Sequence, residues 1–255
     1  MINTAKIIKR QGRQYIPNIE LPVLPTNFKN GRIEITELPC KEGCNACEEN
    51  CPTSAIAINP SLSLDMGKCV FCNECARVCS EDKFIFTNDY KTATNERSRL
   101  IIKEGIKQPI TLNPELIRKE IHQYFGGSLK LRQVSAGGDN SCEWEVNAAE
   151  NVNFDMGRYG INFVASPRHA DGLVLTGPIS SSMAAPLESC YHAINHPKLL
   201  ILVGVDAING GIFQDSKAVN RTFLEKYPVD LYVPGNPPHP LTFILGILEL
   251  IRKQK

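Results

Sequence analysis

Apolar residues recur along the second half of the chain in short blocks separated by helical patterns. The helical patterns, with apolar residues three or four apart, predict helices over 142–151, 183–194, 218–226 and 241–252. Blocks rich in Val, Ile and Leu alternate with them and are typical of a mostly parallel, doubly wound α/β sheet. The predicted strands are 129–134, 160–165, 172–176, 199–205 and 230–233. Sites in such sheets form in the loops after the strands. These loops are 135–141, 177–182, 205–213 and 234–240.

Ahead of this alternation, the ends of one more helix are marked in the sequence. Asn113 is a candidate cap, Pro114 occupies the first helical position, and Gly126 and Gly127 provide the stop. Before it, the sequence after Tyr90 is polar and has no apolar period, which indicates a domain boundary. We therefore divide the chain into four parts: an arm (1–30), an amino-terminal domain (31–95), a connector (96–112) and a carboxyl-terminal domain (113–255).

Eight of the ten cysteines lie in two blocks between residues 40 and 79. Each block has three cysteines two or three residues apart and a fourth that follows them. Three thiolates at this spacing can wrap one corner of an iron–sulfur cube, while the fourth points away and ligates the other cube. The spacing thus predicts two neighbouring [4Fe-4S] clusters. Their ligand sets are Cys40, Cys44, Cys47 and Cys79 for the first, and Cys69, Cys72, Cys75 and Cys51 for the second.

Three other uses of these cysteines compete with this prediction. Disulfides need an oxidising compartment, and the chain shows neither a signal peptide nor the character of a small secreted scaffold. Zinc bound by four cysteines is the stronger rival, although structural zinc sites usually join two distant Cys-x-x-Cys knuckles. Free structural thiols are the third alternative.

The residues around the cysteines resemble those of a bacterial two-cluster ferredoxin over about residues 31–95. Two features depart from that pattern: three residues instead of two separate Cys40 from Cys44, and Ser80 rather than a proline follows Cys79. The resemblance implies a ferredoxin-like α+β domain. It is carried by Cys51-Pro-Thr-Ser-Ala-Ile-Ala-Ile, by Leu64-Asp65 ahead of Lys68-Cys69-Val70, and by Phe84-Ile85-Phe86 as the closing strand.

Charge and hydropathy exclude some classes of function. The formal net charge is +1, so no overall field favours nucleic acid or an anionic membrane. The apolar stretches 199–205 and 241–251 are shorter than the ~20 residues that span a bilayer. Abundant thiols without an export signal predict a reducing compartment such as the bacterial or archaeal cytoplasm. No Ser/His/Asp or Cys/His set suggests nucleophilic catalysis, so we expect no complete active site.

Residues 113–255 carry a second resemblance, to the small subunit of energy-converting, membrane-bound nickel–iron hydrogenases and to the homologous subunit of respiratory complex I. It implies a flavodoxin-like α/β domain with one further [4Fe-4S] cluster, next to the catalytic or quinone-reducing centre of a large-subunit partner. Arg158, Arg168 and Asp171 match the family's pattern near that cluster, and ion pairs or hydrogen bonds that hold loops are their alternative role. The matching stretches are Asp155-Met-Gly-Arg-Tyr-Gly, Ala165-Ser-Pro-Arg-His-Ala-Asp, Leu175-Thr-Gly-Pro, 203–213 and 228–238.

The ligands that the family would supply to this further cluster are mostly replaced. Where the family places cysteines in three loops, this sequence has Asp139 and Cys142 in the first, Asp206 in the second and Asn236 in the third. One thiolate with two carboxylates and an amide is a poor match to a cubane. We expect the third cluster, near Cys142, to be lost. An unusual cluster or a harder metal such as Mg²⁺ or Mn²⁺ is the alternative.

These features predict an iron–sulfur electron-transfer subunit of a hydrogenase-like or complex I-like oxidoreductase, without a complete active site of its own. The expected partners are a large subunit, a membrane subunit and a soluble electron donor or acceptor, at the inner face of the cell membrane, with no nucleic acid. In a second hypothesis the clusters only stabilise the fold of a structural or assembly subunit. A zinc-binding interaction module is the third.

The arm (1–30) carries four basic residues before its first acid, Glu20. Such an arm could lie along a partner subunit or an acidic membrane surface, or it could be a solvated terminus. The sequence leaves both open. The four basic residues are Lys6, Lys9, Arg10 and Arg13, and Pro17, Pro22 and Pro25 then exclude a long helix.

Overall fold

A computed structural model describes residues 4–12, 15–21, 24, 30–107 and 109–252. The arm begins with helix α1 (Thr4–Gln11). Arg13, Pro22 and Pro25, on which sequence predictions were based, lie outside the described residues. No helix within the described ranges is both long and apolar enough to cross a bilayer.

Two strand–helix–strand halves form the amino-terminal domain. The first half is β1 (Ile33–Ile35), α2 (Ala46–Glu49) and β2 (Ile56–Ala57), and the second is β3 (Ser63–Asp65), α3 (Glu74–Val78) and β4 (Phe84–Phe86). The halves pair with each other, because β1 is antiparallel to β4 and β2 is antiparallel to β3. The two helices thus face each other across the domain.

The alternation of side chains explains why these short strands fold. In β4, Phe84 and Phe86 are buried while Ile85 is 46% exposed, and in β1 Ile33 and Ile35 are buried on either side of Glu34. A two-residue period of this kind places one face of a strand on a core.

The connector (96–112) binds both domains. Its strand β5 (Ile101–Lys103) is antiparallel to β3, which extends the amino-terminal sheet. Just before it, Thr94 is fully buried and exchanges two backbone hydrogen bonds with Tyr232 of the carboxyl-terminal domain, at 3.0 and 2.7 Å. Polar residues are buried here because tertiary hydrogen bonds satisfy them; the Thr94 hydroxyl, for example, donates to the Thr111 carbonyl at 3.0 Å.

The helix predicted after Asn113 begins later than its cap suggested. The Asn113 side chain does accept the Glu115 N–H, at 3.1 Å, but it caps only a short 3₁₀ turn. The α-helix α4 is Lys119–Phe125, because Arg118 is extended. The Arg118 guanidinium reaches Asp230 and the Lys198 carbonyl, which holds the chain at this point.

The carboxyl-terminal domain is a five-stranded, wholly parallel sheet, as predicted. Its order is β10-β9-β8-β6-β7, the 2-1-3-4-5 order of a flavodoxin-like fold. The strands are β6 (Leu129–Ser135), β7 (Ile161–Phe163), β8 (Gly172–Thr176), β9 (Leu199–Val203) and β10 (Leu231–Val233). The helices are α5 (Ser141–Ala148), α6 (Ser181–Ala193), α7 (Val205–Asn209), α8 (Thr222–Lys226) and α9 (Pro240–Ile251).

The two faces of this sheet pack on different partners. One face lies against α9, and Val174 and Ile201 belong to that core. On the other face, Leu173 and Leu200 share one apolar core with Leu64 of the amino-terminal domain. The apolar core on that face, which includes Leu187 of α6, is therefore continuous with the core of the cysteine-bearing domain.

Candidate metal centre

Four cysteines from both blocks line a first recess that opens to solvent. Cys40 and Cys44 lie in the exposed loop before α2, Cys47 is on α2, and Cys79 follows α3. These are the four residues that the cysteine spacing assigned to one cluster. Burial raises the pKa of the Cys47 thiol, and the neighbouring thiols of Cys40 and Cys79 raise it further.

The other four cysteines of the blocks line a second recess, which is walled by apolar side chains. Backbone N–H groups point at two of its sulfur atoms: Ala55 donates to Cys51 Sγ at 3.2 Å, and Phe71 donates to Cys69 Sγ at 3.3 Å. The remaining members are Cys72, at the exposed rim, and Cys75, which is buried on α3.

The chemistry of these thiols fits an iron–sulfur cluster in each recess. Burial raises the pKa of both Cys69 and Cys75 to about 12, and neighbouring thiols add to each shift. Gathered thiols of this kind ionise only beside a strong positive charge, which iron supplies. Apolar walls and N–H donors to sulfur are also features by which proteins tune such clusters. Cys47 contributes to the shift of Cys75, so the two recesses are close neighbours.

The geometry of the cysteines bears on two alternatives to iron–sulfur clusters, which are disulfide bonds and a single bound zinc ion. All ten cysteines are free thiols, so none is in a disulfide. Among the residues that the structure describes, no three His, Cys, Asp or Glu side chains form a group that could hold a single metal ion. The identity of the bound metal stays a prediction.

The residues that the resemblance places at the further cluster lie after the carboxyl ends of β6, β9 and β10. Cys142 is on the first turn of α5 and is only 6% exposed; its sulfur packs so closely on Gly204 that a Cβ there would clash with it. The carboxylate of Asp206, in the first turn of α7, packs so closely on Gly211 that a Cβ at Gly211 would clash with it. The turn that carries Asn236 adjoins α7, because the Val205 N–H donates to the Gly235 carbonyl at 3.0 Å.

Negative groups surround the Cys142 thiol. Burial raises its pKa to about 12, and the carboxylates of Glu143, Asp206 and Asp139 add to the shift. Burial also raises the pKa of Asp206 to about 6, with smaller contributions from Asp139 and Glu143. A [4Fe-4S] cluster takes four thiolates. One thiol among three carboxyl groups does not fit that cluster.

Several residues at this position gave no signal in the sequence. Glu143 is buried and accepts the Thr176 hydroxyl at 2.6 Å. Arg221 donates to the carbonyls of Ala207 and Ile208 at 2.8 and 2.9 Å, and burial lowers its pKa to about 10. A lone charged residue in a helical pattern is indistinguishable from a surface residue until the fold buries it.

A short path of contacts leads from the second recess to this position. Thr53 lines that recess two residues after Cys51, and its carbonyl accepts the Gln214 side chain at 3.5 Å. Gln214 lies five residues after the end of α7, whose first turn carries Asp206. The second recess, rather than the first, therefore faces the carboxyl-terminal domain.

The expectation that Arg158, Arg168 and Asp171 lie near the further cluster is wrong. All three precede strands, whereas the cluster position lies in loops after strands, at the other edge of the sheet. Asp171 accepts the Lys130 N–H at 2.7 Å, which joins the starts of β8 and β6. Arg158 donates to the Ile16 carbonyl of the arm.

Comparison with known proteins shows that the carboxyl-terminal domain is similar to subunits of membrane-bound hydrogenase and of NADH-quinone oxidoreductase. Residues 140–250 match the family described as NADH ubiquinone oxidoreductase, 20 Kd subunit. The eight cysteines of the two recesses lie outside that match.

Individual relatives agree with this family. A probable membrane-bound hydrogenase subunit of Pyrococcus furiosus is 32% identical over 134 residues, 52% of this chain and 80% of that protein. An NADH-quinone oxidoreductase subunit of Geotalea daltonii is 38% identical over 109 residues, 43% of this chain and 64% of that protein. A solved structure of the membrane-bound sulfane sulfur reductase, an archaeal respiratory membrane complex, matches 49% of this chain and 69% of its own at 29% identity, with a TM-score of 0.43.

Proposed function

Because this chain belongs to the family of the 20 Kd subunit of NADH ubiquinone oxidoreductase, we propose that it is an electron-transfer subunit of a hydrogenase-like or complex I-like oxidoreductase. The observation that carries the proposal is the pair of adjacent recesses, each surrounded by four free cysteines. In this proposal each recess holds one [4Fe-4S] cluster, which takes up and releases single electrons.

The chain's residues give the two recesses different roles. Cys40 and Cys44 are exposed, so the first recess is accessible to a soluble electron donor or acceptor. The second recess faces the carboxyl-terminal domain through Thr53 and Gln214. Electrons would thus pass between solvent and the carboxyl-terminal domain by way of the two recesses, and the relay ends at the second one because the position near Cys142 does not fit a cluster.

The carboxyl-terminal domain (113–255) would dock the partners: a large subunit of hydrogenase-like or complex I-like type, and through it a membrane subunit. This arrangement would hold the chain at the cytoplasmic face of the membrane. The amino-terminal domain (31–95) would be the ferredoxin-like part, and the pairing of β1 with β4 and of β2 with β3 supports that assignment.

Metal analysis tests the proposal directly. The intact chain, purified without oxygen, should contain about eight irons and matching sulfide, given four irons per cubane. Cys75→Ser should lower the count to about four, whereas Cys142→Ser, a matched change at another buried cysteine, should leave it at about eight. Zinc without iron would refute the proposal, and about twelve irons would refute the loss of the third cluster.

A structural or assembly role is the second candidate. It is favoured by the burial of Cys47, Cys69 and Cys75 within the core that both domains share, since clusters there would brace the fold. Electron transfer in the assembled complex distinguishes the two. If the clusters form a relay, Cys72→Ser should abolish electron transfer in a complex that still assembles. If the clusters only stabilise the fold, the same change should only weaken assembly.

A further inference from the structure

Helix α1 has a basic side and an apolar side. At 100° per residue, Lys6, Lys9 and Arg10 lie on one side of the helix and Ile7 and Ile8 on the other. Every residue from 4 to 11 is exposed, including Ile7 at 39% and Ile8 at 63%. An isolated helix of this length is only marginally stable in water. An amphipathic helix of this length is therefore stabilised by a surface that binds both its basic side and its apolar side.

The arm after α1 is fixed to the body of the protein. The Ile16 N–H donates to the Asn153 carbonyl at 2.9 Å. Ile19 is buried, and its carbonyl accepts the Tyr90 hydroxyl at 2.9 Å. The chain is therefore anchored beside the loop between α5 and β7, and α1 ends five residues before that anchor at Ile16.

The surface at that place combines arginine with tyrosine. Arg158 lies over the rings of Tyr15 and Tyr159, at 5.1 and 4.8 Å, and Arg252 lies 5.7 Å from the Tyr159 ring. Val152, in the same loop, is 64% exposed. Tyrosine and arginine, with apolar bodies and polar ends, are residues that proteins place at the headgroup level of a bilayer.

Both ends of the chain bring positive charge to this side. Within the described residues, segments 4–12, 15–21 and 149–159 together with residue 252 hold five basic residues against three acids: Lys6, Lys9, Arg10, Arg158 and Arg252 against Glu20, Glu150 and Asp155. Beyond Arg252 the sequence continues with Lys253 and Lys255, which lie outside the described residues.

We propose that α1 and the Arg–Tyr surface beside it bind the anionic face of a membrane directly. The charge excess suits acidic phospholipid, and the exposed isoleucines suit the boundary between headgroups and acyl chains. This contact is additional to attachment through partner subunits, and it does not depend on whether the recesses hold clusters.

Vesicle binding by the full chain tests the proposal. Vesicles of phosphatidylcholine with and without phosphatidylglycerol are incubated with the protein without oxygen and sedimented, at low and high salt. We expect binding to the anionic vesicles only, weakening with salt. K6Q/K9Q/R10Q should lower the partition coefficient about a hundredfold, from the usual contribution of each cation near an anionic surface. I7S/I8S should also reduce binding.

A variant with the same loss of charge elsewhere, K103Q/K107Q/K217Q, is the control and should bind almost as the parent does; all three lysines are exposed. Equal losses in the two triple variants, or equal binding to neutral vesicles, would overturn the proposal. The proposal would also be overturned if the full chain did not bind vesicles while a change in α1 released the chain from its detergent-solubilised complex. That result would show that α1 binds a protein instead. The iron content of each variant is measured alongside, so a failure to bind cluster is separated from a failure to bind lipid.

Discussion

Replacing Asp65 with asparagine should loosen the loop that carries the second cysteine block. Asp65 ends β3, and its carboxylate accepts the Gly67 N–H at 2.8 Å. The same carboxylate forms a two-pronged ion pair with Arg97 of the connector, at 2.8 and 2.7 Å. Four residues further on lies Cys69, so this pair holds the start of the loop to the connector.

The expected loss of stability follows from how far this ion pair is buried. The side chain of Asp65 is 15% exposed and that of Arg97 is 31% exposed. Asparagine can still accept the Gly67 N–H, but it loses the negative charge and one of the two hydrogen bonds from Arg97. This change should lower the free energy of unfolding by about 2 kcal/mol, which is less than the cost of breaking a fully buried ion pair. In a chain of this size the unfolding midpoint should fall by about 4–8 °C.

Thermal denaturation without oxygen, followed by circular dichroism at one scan rate, measures this shift, because irreversible unfolding makes the midpoint depend on the rate. Glu81→Gln is the matched control: it removes the same charge from the exposed Lys41–Glu81 pair and should cost under about 0.5 kcal/mol. Gly67→Ala should act like D65N, since a Cβ there would lie 2.7 Å from the Arg97 guanidinium carbon. Equal shifts in D65N and E81Q would refute the reasoning.

Three further changes have defined outcomes. Gly246→Ala in α9 should cost about 1–3 kcal/mol in chemical denaturation, because its Cβ would clash with Ala93. Burial raises the pKa of Asp206 to about 6 from 3.8, so the parent should lose stability as pH rises from about 4 to 6, and D206N should lack this loss. Burial lowers the pKa of His239 to about 4 from 6.5, and its Nδ1 caps α9 by accepting the Leu241 N–H at 3.2 Å. Stability should therefore also fall as pH drops from about 6.5 to 4, and H239N, which can still cap, should remove that fall.

Each of these has its own control. Gly127→Ala places a Cβ in open space and should be nearly neutral; a cost equal to that of G246A would contradict the packing argument. Thermal midpoints across pH test the two titrations, which act in opposite directions over nearly the same range. A pH profile unchanged in D206N or in H239N would contradict the assignment of that residue.

The sequence by itself determined the local elements and much of the chemistry. Apolar runs located the five strands of the parallel sheet to within a few residues. The signal is strongest for β8 and β9, because strands buried on both faces need apolar side chains at every position. The cysteine spacing predicted two ligand sets, and the structure places the same four thiols around each recess. Asp206 and Asn236, at positions where the family resemblance implies cysteines, were also identified before the fold was considered.

Only the tertiary structure decided which distant residues meet. The polar stretch after Tyr90 gave no sign that Thr94 would be buried, since its hydrogen-bond partners are Tyr232 in the carboxyl-terminal domain and Thr111 in the connector. Arg221 was likewise unremarkable until the fold enclosed it. Matching motifs placed Asp171 near the further cluster, whereas the direction of its strand puts it at the opposite edge. The hydrophobic periodicity of a helix or strand indicates which of its sides is buried. Which residues far apart in sequence come into contact depends on strand order and strand direction, which no local pattern encodes.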